Sequence, residues 1–173
     1  YDGPMFRYER PQRGRYRQFE QFGVERFDHA EATAEEGVVR DAEVIGVAAH
    51  FLHSIGVLHA VELQLNFLGD SAARARYSTA MAQFLATRRS ELSEASQERL
   101  DRGSVLRILD SKSTADAMIL EDAPLLAEFL SAEAVARAEA TRAAIVAVLA
   151  EITAAGGTDS RAGVSVVVNP RLV

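Results

Sequence analysis

Two runs of alternating apolar and polar residues near the start of the chain constrain what this region can fold into. Residues 5–9 (MFRYE) alternate from Phe6 onwards and residues 16–25 (YRQFEQFGVE) more loosely, with Pro11 and Gly14 between them. Alternation with a period of two is typical of a strand whose two faces differ, and proline and glycine favour a turn. The pattern therefore predicts two antiparallel strands joined by a loop.

The same period predicts which side chains share a face. Arg7 and Glu9 point to one side of the first strand. On the second strand, Phe19 and Gln21 share a side with Glu25, provided that the intervening glycine introduces no bulge. The predicted hairpin thus carries guanidinium, aromatic, amide and carboxylate groups.

Arginine is concentrated in this segment. Five arginines lie within residues 7–17, and the first 26 residues carry a net charge of +2 against −8 for the rest. Guanidinium groups bind phosphate oxygens in pairs, and an aromatic ring can stack on a flat base. These features suit a nucleotide with a small cationic co-substrate, but they equally suit surface ion pairs with the acidic remainder. The composition leaves both interpretations open.

The composition excludes several classes of protein. The chain has 173 residues, of which 48% are hydrophobic and 25% charged, which is typical of a globular domain. The absence of cysteine excludes disulfides, thiolate zinc sites and cysteine nucleophiles. No apolar run approaches the ~20 residues of a membrane span, and no signal-peptide pattern opens the chain, so we expect a cytoplasmic protein. Because the chain begins at Tyr1 rather than at a methionine, we expect it to be part of a longer protein.

The later sequence alternates between helical and strand patterns. The predicted elements are, in order, helix 38–55, strand 57–67, a helix N-capped by Asp70, helix 93–100, a helix beginning at Pro124, helix 132–152 ended by Gly156 and Gly157, and strand 164–168. A helical block between strands indicates a domain inserted into an α+β core. We expect residues 1–68 to form part of that core, 69–162 the helical insertion, and 163–173 a strand that returns to the core.

Residues 6–25 (FRYERPQRGRYRQFEQFGVE) closely resemble motif 2 of the class II aminoacyl-tRNA synthetases, in the form found in histidyl-tRNA synthetases. Such a long motif is far more specific than a short pattern. The resemblance implies part of the class II antiparallel sheet core with a mainly helical inserted domain. Four later segments resemble successive landmarks of the family in the right order: LGD at 68–70, LRILDSK at 106–112, DAP at 122–124 and NPRLV at 169–173.

The sequence also departs from the family pattern. Glu20 stands where histidine is usual, and Arg26 to Asp28 replace an apolar residue followed by an aromatic residue and glycine. Residues 103–105 (GSV) replace an expected Asn-Pro pair. None of these positions coincides with a contact that the resemblance assigns.

The resemblance implies that ATP, as its Mg²⁺ complex, and histidine react to histidyl-adenylate, and that the histidyl group is then transferred to tRNA(His). Carried over by position, Arg7 is the catalytic arginine that bridges the ATP α-phosphate and the amino-acid carboxylate. Glu9 contacts the adenine end of ATP, Arg15 meets the outer phosphates, and Phe19 stacks on adenine.

The resemblance places Gln21 and Glu25, together with Arg7, in the histidine pocket. A carboxylate that accepts from an imidazole N–H can select histidine over apolar amino acids of similar size. A wrong substrate would leave this buried carboxylate without a partner, at a cost of several kcal/mol.

The resemblance also implies partners. The family forms homodimers, and its inserted domain lies near the acceptor arm of the tRNA, which Arg88, Arg89 and Lys112 could contact. The dimer-forming motif and the segment that holds the histidine amino group would precede Tyr1. A further catalytic arginine, motif 3 and the anticodon-binding domain would follow Val173. We therefore expect this chain to be an internal fragment of a histidine–tRNA ligase that is inactive alone.

Three other interpretations remain. A regulatory paralogue, of the type of the ATP phosphoribosyltransferase regulatory subunit, would keep the fold without aminoacylation. The helical block could alternatively act as a separate RNA-binding module. His50, His53 and His59 could suggest a metal site, but no acidic ligand lies at the right spacing, so we expect no bound metal there and no membrane partner.

Overall fold

The computed structural model describes residues 1–27, 33–155 and 164–172. It has a mixture of helices and short strands, which confirms the α+β class. The elements are, in order, β1 (Asp2–Phe6), β2 (Gln18–Phe22), α1 (Ala34–Ser54), β3 (Glu62–Leu65), α2 (Ser71–Thr87), α3 (Glu94–Asp101), α4 (Thr114–Glu121), α5 (Ala132–Ala155) and β4 (Ser165–Val168). Short 3₁₀ turns lie at Leu58–Ala60, Arg89–Glu91, Val105–Ile108 and Leu126–Phe129.

The predicted N-terminal hairpin is confirmed. Strands β1 and β2 pair antiparallel, with Met5 opposite Phe19. The paired strands lie closer to the start of the chain than the alternation indicated, because residues 7–17 form a long connecting arm. The backbone N–H of Arg7 still donates to the carbonyl of Arg17 over 2.8 Å, and Gly14 turns the arm with a φ of +76°.

Helix α1 begins four residues before its predicted start because of a capping box. The Thr33 hydroxyl accepts from the backbone N–H of Glu36, and the Glu36 carboxylate accepts from the backbone N–H of Thr33. The helix also holds the hairpin: the rings of Phe22 and Phe51 meet edge to face with centroids 4.7 Å apart. Arg26, just beyond the hairpin, forms an ion pair with Glu43 of α1.

Helices α1 and α5 form one apolar cluster with the β3–β4 sheet. The two helices run parallel, since Gly37 lies against Arg137 and Gly46 against Val148. A Cβ at Gly46 would lie 2.8 Å from a Val148 methyl group, so this glycine permits the close approach. The buried members of the cluster are Ala42, Ala49, Leu58, Ile145 and Leu149.

Strands β3 and β4 pair in parallel, with Leu65 opposite Val168. This pair is thus not itself antiparallel, and about 100 residues of the chain connect its two strands. The predicted strand at 57–67 is shorter than expected because a 3₁₀ turn occupies Leu58–Ala60.

A second apolar cluster holds the helical block together, which we define as residues 70–130. Asp70 caps α2 as predicted, and Tyr77, Met81 and Leu85 of α2 are buried at its centre together with Ile108. The short α4 was not predicted. The helix expected from Pro124 is only a 3₁₀ turn. The predicted glycine stop at 156–157 lies outside the described residues.

A candidate ATP and amino-acid site on the hairpin

The register of the hairpin brings three of the predicted site residues to one face. Gly3 lies opposite Gln21 and Met5 opposite Phe19. Because alternate residues share a face, Tyr1 and Arg7, which flank the first strand and extend its pairing, lie on the same side as Phe19 and Gln21 on the second.

Arg7 and Phe19 are in direct contact. The guanidinium carbon of Arg7 lies 3.7 Å from the centroid of the Phe19 ring, a cation–π geometry. The Nε of Arg7 is buried and has no hydrogen-bond partner among the described residues. The ring therefore holds the guanidinium by stacking, and no described residue accepts a hydrogen bond from its donors.

Glu9 and Arg15 form an ion pair across the connecting arm, with both side chains about half exposed. Arg17 supports the pair by donating from its Nε to the backbone carbonyl of Glu9 over 3.2 Å. These contacts draw together the two residues that were expected at opposite ends of a nucleotide. A partly exposed ion pair of this kind is weak, so a ligand can replace it at little cost.

Gln21 is held by a residue that the sequence did not single out. Its Nε2 donates to the Tyr1 hydroxyl over 3.0 Å. A sequence signal existed, because Tyr1 belongs to the same period-two face, but the contact itself depends on the strand register. Glu25 lies beyond the end of β2, is exposed, and has no described partner. The structure thus does not bring Glu25 into contact with the other site residues.

The helical block binds one buried carboxylate entirely through its own groups. The carboxylate of Asp116, which is fully buried, accepts from the backbone N–H of Ser93 and from the hydroxyls of Ser93, Ser96 and Ser111. Burial alone would raise the pKa of Asp116, but these hydrogen bonds outweigh it and lower the pKa to about 2.

The two arginines expected to contact tRNA are already engaged. Arg88 lies 3.9 Å from Asp122 and stacks on Phe84, and Arg89 binds the carboxylate of Asp101 with a contact of 2.7 Å. The hydrogen bond to Arg89 lowers the pKa of Asp101. Both arginines would have to give up partners before they could bind phosphate.

The histidines do not form a metal site in the described part of the chain. Among residues 1–27, 33–155 and 164–172, no group of three or more His, Asp or Glu side chains could hold a metal ion. The helices of these segments also include none that is long and apolar enough to cross a membrane.

No family model matches the chain. A histidine–tRNA ligase of Gluconacetobacter diazotrophicus is 45% identical over 145 residues, which cover 84% of this chain and 33% of the relative. That of Acinetobacter baylyi is 42% identical over all 173 residues and 35% of its own length. The crystal structure of apo histidyl-tRNA synthetase from Staphylococcus aureus matches the whole chain and 34% of its own, with a TM-score of 0.57 and 29% identity. The chain thus spans about a third of these relatives.

Proposed function

This chain belongs to the histidine–tRNA ligase family, and we propose that its hairpin is one wall of a site for ATP and histidine. The chain spans about a third of the length of its relatives. The reaction is the ATP-dependent activation of histidine to histidyl-adenylate, followed by transfer to tRNA(His). The contact between Arg7 and Phe19 carries the proposal, because it places a guanidinium that donates to no described residue beside an aromatic ring.

In this proposal Arg7 is the catalytic residue. The histidine carboxylate attacks the α-phosphorus of ATP, pyrophosphate leaves, and negative charge builds up on the α-phosphate oxygens. A guanidinium held in place by a stacked ring stabilises that charge without reorganising. Phe19 stacks on adenine, and Glu9 and Arg15 separate to meet the adenine end and the outer phosphates. Mg²⁺ arrives with ATP as part of the substrate.

Gln21 and Glu25 recognise histidine in this proposal, with Arg7 on its carboxylate. An amide and a carboxylate can accept from the ammonium and imidazole N–H groups of the substrate. Since Glu25 is exposed and pairs with no described residue, it has no partner among them to give up when histidine binds.

Three further properties are proposed on the family resemblance alone. They are a homodimeric assembly, a cytoplasmic location, and the binding of tRNA near the helical block. We also propose that a helical domain is inserted into the core within residues 69–162. Helix α5 packs against α1 and not against the helical block. This packing favours an end of the insertion near residue 130.

A chimera tests the proposed function. The aligned third of the Acinetobacter baylyi ligase is replaced by these 173 residues, and histidine-dependent ATP–pyrophosphate exchange is measured. We expect exchange by the chimera and a loss of about 100-fold or more in its Arg7→Ala variant, since the arginine acts on the transition state. Arg10→Ala removes the same charge from the same arm and should retain exchange.

An Arg7→Ala chimera as active as its parent would contradict the role of Arg7. We expect no exchange by the 173-residue chain alone, because it spans only a third of a ligase, and exchange by the isolated chain would contradict this part of the proposal. The regulatory paralogue is not favoured, because the relatives are ligases and all six proposed site residues are retained.

A further inference from the structure

Arg171, in the segment that follows β4, reaches across to the helical block. Its Nη2 donates to the backbone carbonyls of Glu121 and Ala123, over 2.8 and 3.2 Å. These carbonyls lie at the C-terminal end of α4, where the last carbonyls of a helix lack partners within the helix and a cation is favourable. Arg171 therefore binds one helix end of the block from outside the block.

The guanidinium of Arg171 is partly buried in this position. Its Nη1 is enclosed and has no hydrogen-bond partner among the described residues. Burial raises the pKa of the Tyr77 hydroxyl, and the nearby positive charge of Arg171 opposes that effect. Since Tyr77 belongs to the apolar cluster of the block, the guanidinium lies beside this cluster rather than in open solvent.

The backbone that carries Arg171 is held by the β3–β4 sheet. The Arg171 N–H donates to the Asn169 Oδ1 over 3.0 Å, and the Asn169 N–H donates to the carbonyl of Leu65, at the end of β3, over 2.8 Å. Asn66, which follows β3, donates from its Nδ2 to the carbonyl of Leu172 over 2.6 Å. The residues on both sides of Arg171 are thus tied to the end of β3.

The chain enters and leaves the helical block at two crossings, residues 69–70 and 130–131, which lie side by side. Gly69 has a φ of +61°, and a Cβ there would lie 2.4 Å from a methyl carbon of Leu130. Among the described residues, the apolar cluster of the block shares no member with that of α1 and α5. Two parts without a common core keep one relative placement only where specific contacts hold it.

We propose that Arg171 is a positioning residue for tRNA: it holds the helical block relative to the hairpin, so that a tRNA bound on the block presents its 3′ end to the ATP and histidine site. The inference rests on the proposed function and deepens it, because it names a contact through which the block and the site act together. Without the contact the block takes other placements as well, and the apparent affinity for tRNA falls with the fraction that remains competent.

The placement of the block is measured on the ¹⁵N-labelled 173-residue chain by residual dipolar couplings of the backbone amides. In wild type, one alignment tensor should fit α2 and α4 together with α1 and α5. In Arg171→Ala the block should need its own tensor, while the amide shifts of α1 and α5 stay close to those of wild type. Arg171→Lys keeps a cation for the same carbonyls and should restore most of the wild-type behaviour. Arg142→Ala, which removes an exposed arginine of α5, is the control and should match wild type.

The consequence for tRNA is measured in the chimera with the Acinetobacter baylyi ligase. Arg171→Ala should raise the KM for tRNA(His) in aminoacylation about 10-fold, the scale of hydrogen bonds from a charged donor, and leave histidine-dependent ATP–pyrophosphate exchange unchanged. A merely structural role for Arg171 would instead lower exchange and the kcat of aminoacylation together without changing this KM, and that result would overturn the inference.

The two proposals fail differently. A single alignment tensor for all four helices in Arg171→Ala, or an unchanged KM for tRNA(His), would overturn the role of Arg171 and leave the proposed function standing. A wild-type chimera without exchange would overturn the proposed function, and the role of Arg171 towards tRNA with it.

Discussion

The hairpin and the helical block use polar groups in opposite ways. In the block, the carboxylate of Asp116 is buried with four hydrogen bonds, and Arg89 is held by Asp101. On the hairpin, the Arg7 guanidinium is stacked on Phe19 and donates to no described residue, and no described residue donates to the Gln21 Oε1. Satisfied groups stabilise a fold, whereas unsatisfied groups at a surface are available to a ligand. The buried polar groups of the block therefore stabilise the fold, whereas the polar groups of the hairpin are the candidates for binding a ligand.

The largest effect should come from Asp116→Ala in the block. Removal of the carboxylate leaves three serine hydroxyls and the backbone N–H of Ser93 without their acceptor, so we expect the free energy of unfolding to fall by about 3 kcal/mol or more. Urea denaturation followed by circular dichroism measures this loss. Asp110→Ala is the control, since that carboxylate is exposed in the same region. A loss below about 1 kcal/mol would contradict the importance of the cluster.

Acid should remove a somewhat smaller contribution from the same cluster. Hydrogen bonds hold the folded pKa of Asp116 at about 2, below the ordinary aspartate value of 3.8. The stabilisation is therefore present above the unfolded pKa and is lost as the pH falls towards 2, with a total of about 2 kcal/mol. Denaturation between pH 5 and pH 2 checks this. The free energy of unfolding of Asp116→Asn should depend less steeply on pH than that of wild type. An identical slope would contradict this role of the Asp116 carboxylate.

The N-cap of α1 should contribute about 1 kcal/mol. Thr33→Ala removes the hydroxyl that accepts from the Glu36 N–H but leaves the helix sequence intact. Thr33→Ser keeps the acceptor and is the matched control. Denaturation should show a loss for alanine and almost none for serine; equal losses would indicate that the cap is not the cause.

The smallest change in stability should come from the hairpin, which sharpens the contrast with the block. Arg7→Ala removes one partly exposed cation–π contact, so we expect the free energy of unfolding to fall by only about 0.5 kcal/mol. The same denaturation measurement applies. A loss as large as that of Asp116→Ala would mean that Arg7 is a scaffold residue and that the two regions do not differ.

The sequence predicted the parts of this fold that depend on local patterns. Alternation predicted the hairpin and the shared face of Phe19 and Gln21, and the Asp70 cap predicted the start of α2, whereas Glu9 and Glu25 lie outside the paired strands. Helix α4 has only eight residues; Ser113 caps it locally, but Asp116 also accepts hydrogen bonds from Ser93 and Ser96, about 20 residues away, which no local pattern reveals. Likewise, the parallel pairing of β3 with β4 joins segments about 100 residues apart.

The sequence likewise predicted only part of the candidate site. Period-two geometry and the resemblance identified Arg7, Phe19 and Gln21, which the structure brings to one face. The contact of Gln21 with Tyr1 was missed because it depends on strand register. The Glu9–Arg15 ion pair was missed because it depends on how the arm folds back.

The central claim is that the hairpin binds ATP through Arg7, and the affinity of the 173-residue chain for ATP tests it most directly. NMR titration should show ATP-dependent shifts at the hairpin, at least 10-fold weaker binding by Arg7→Ala, and nearly unchanged binding by Arg10→Ala. Equal weakening by both variants would indicate non-specific attraction to a basic surface and would contradict the claim.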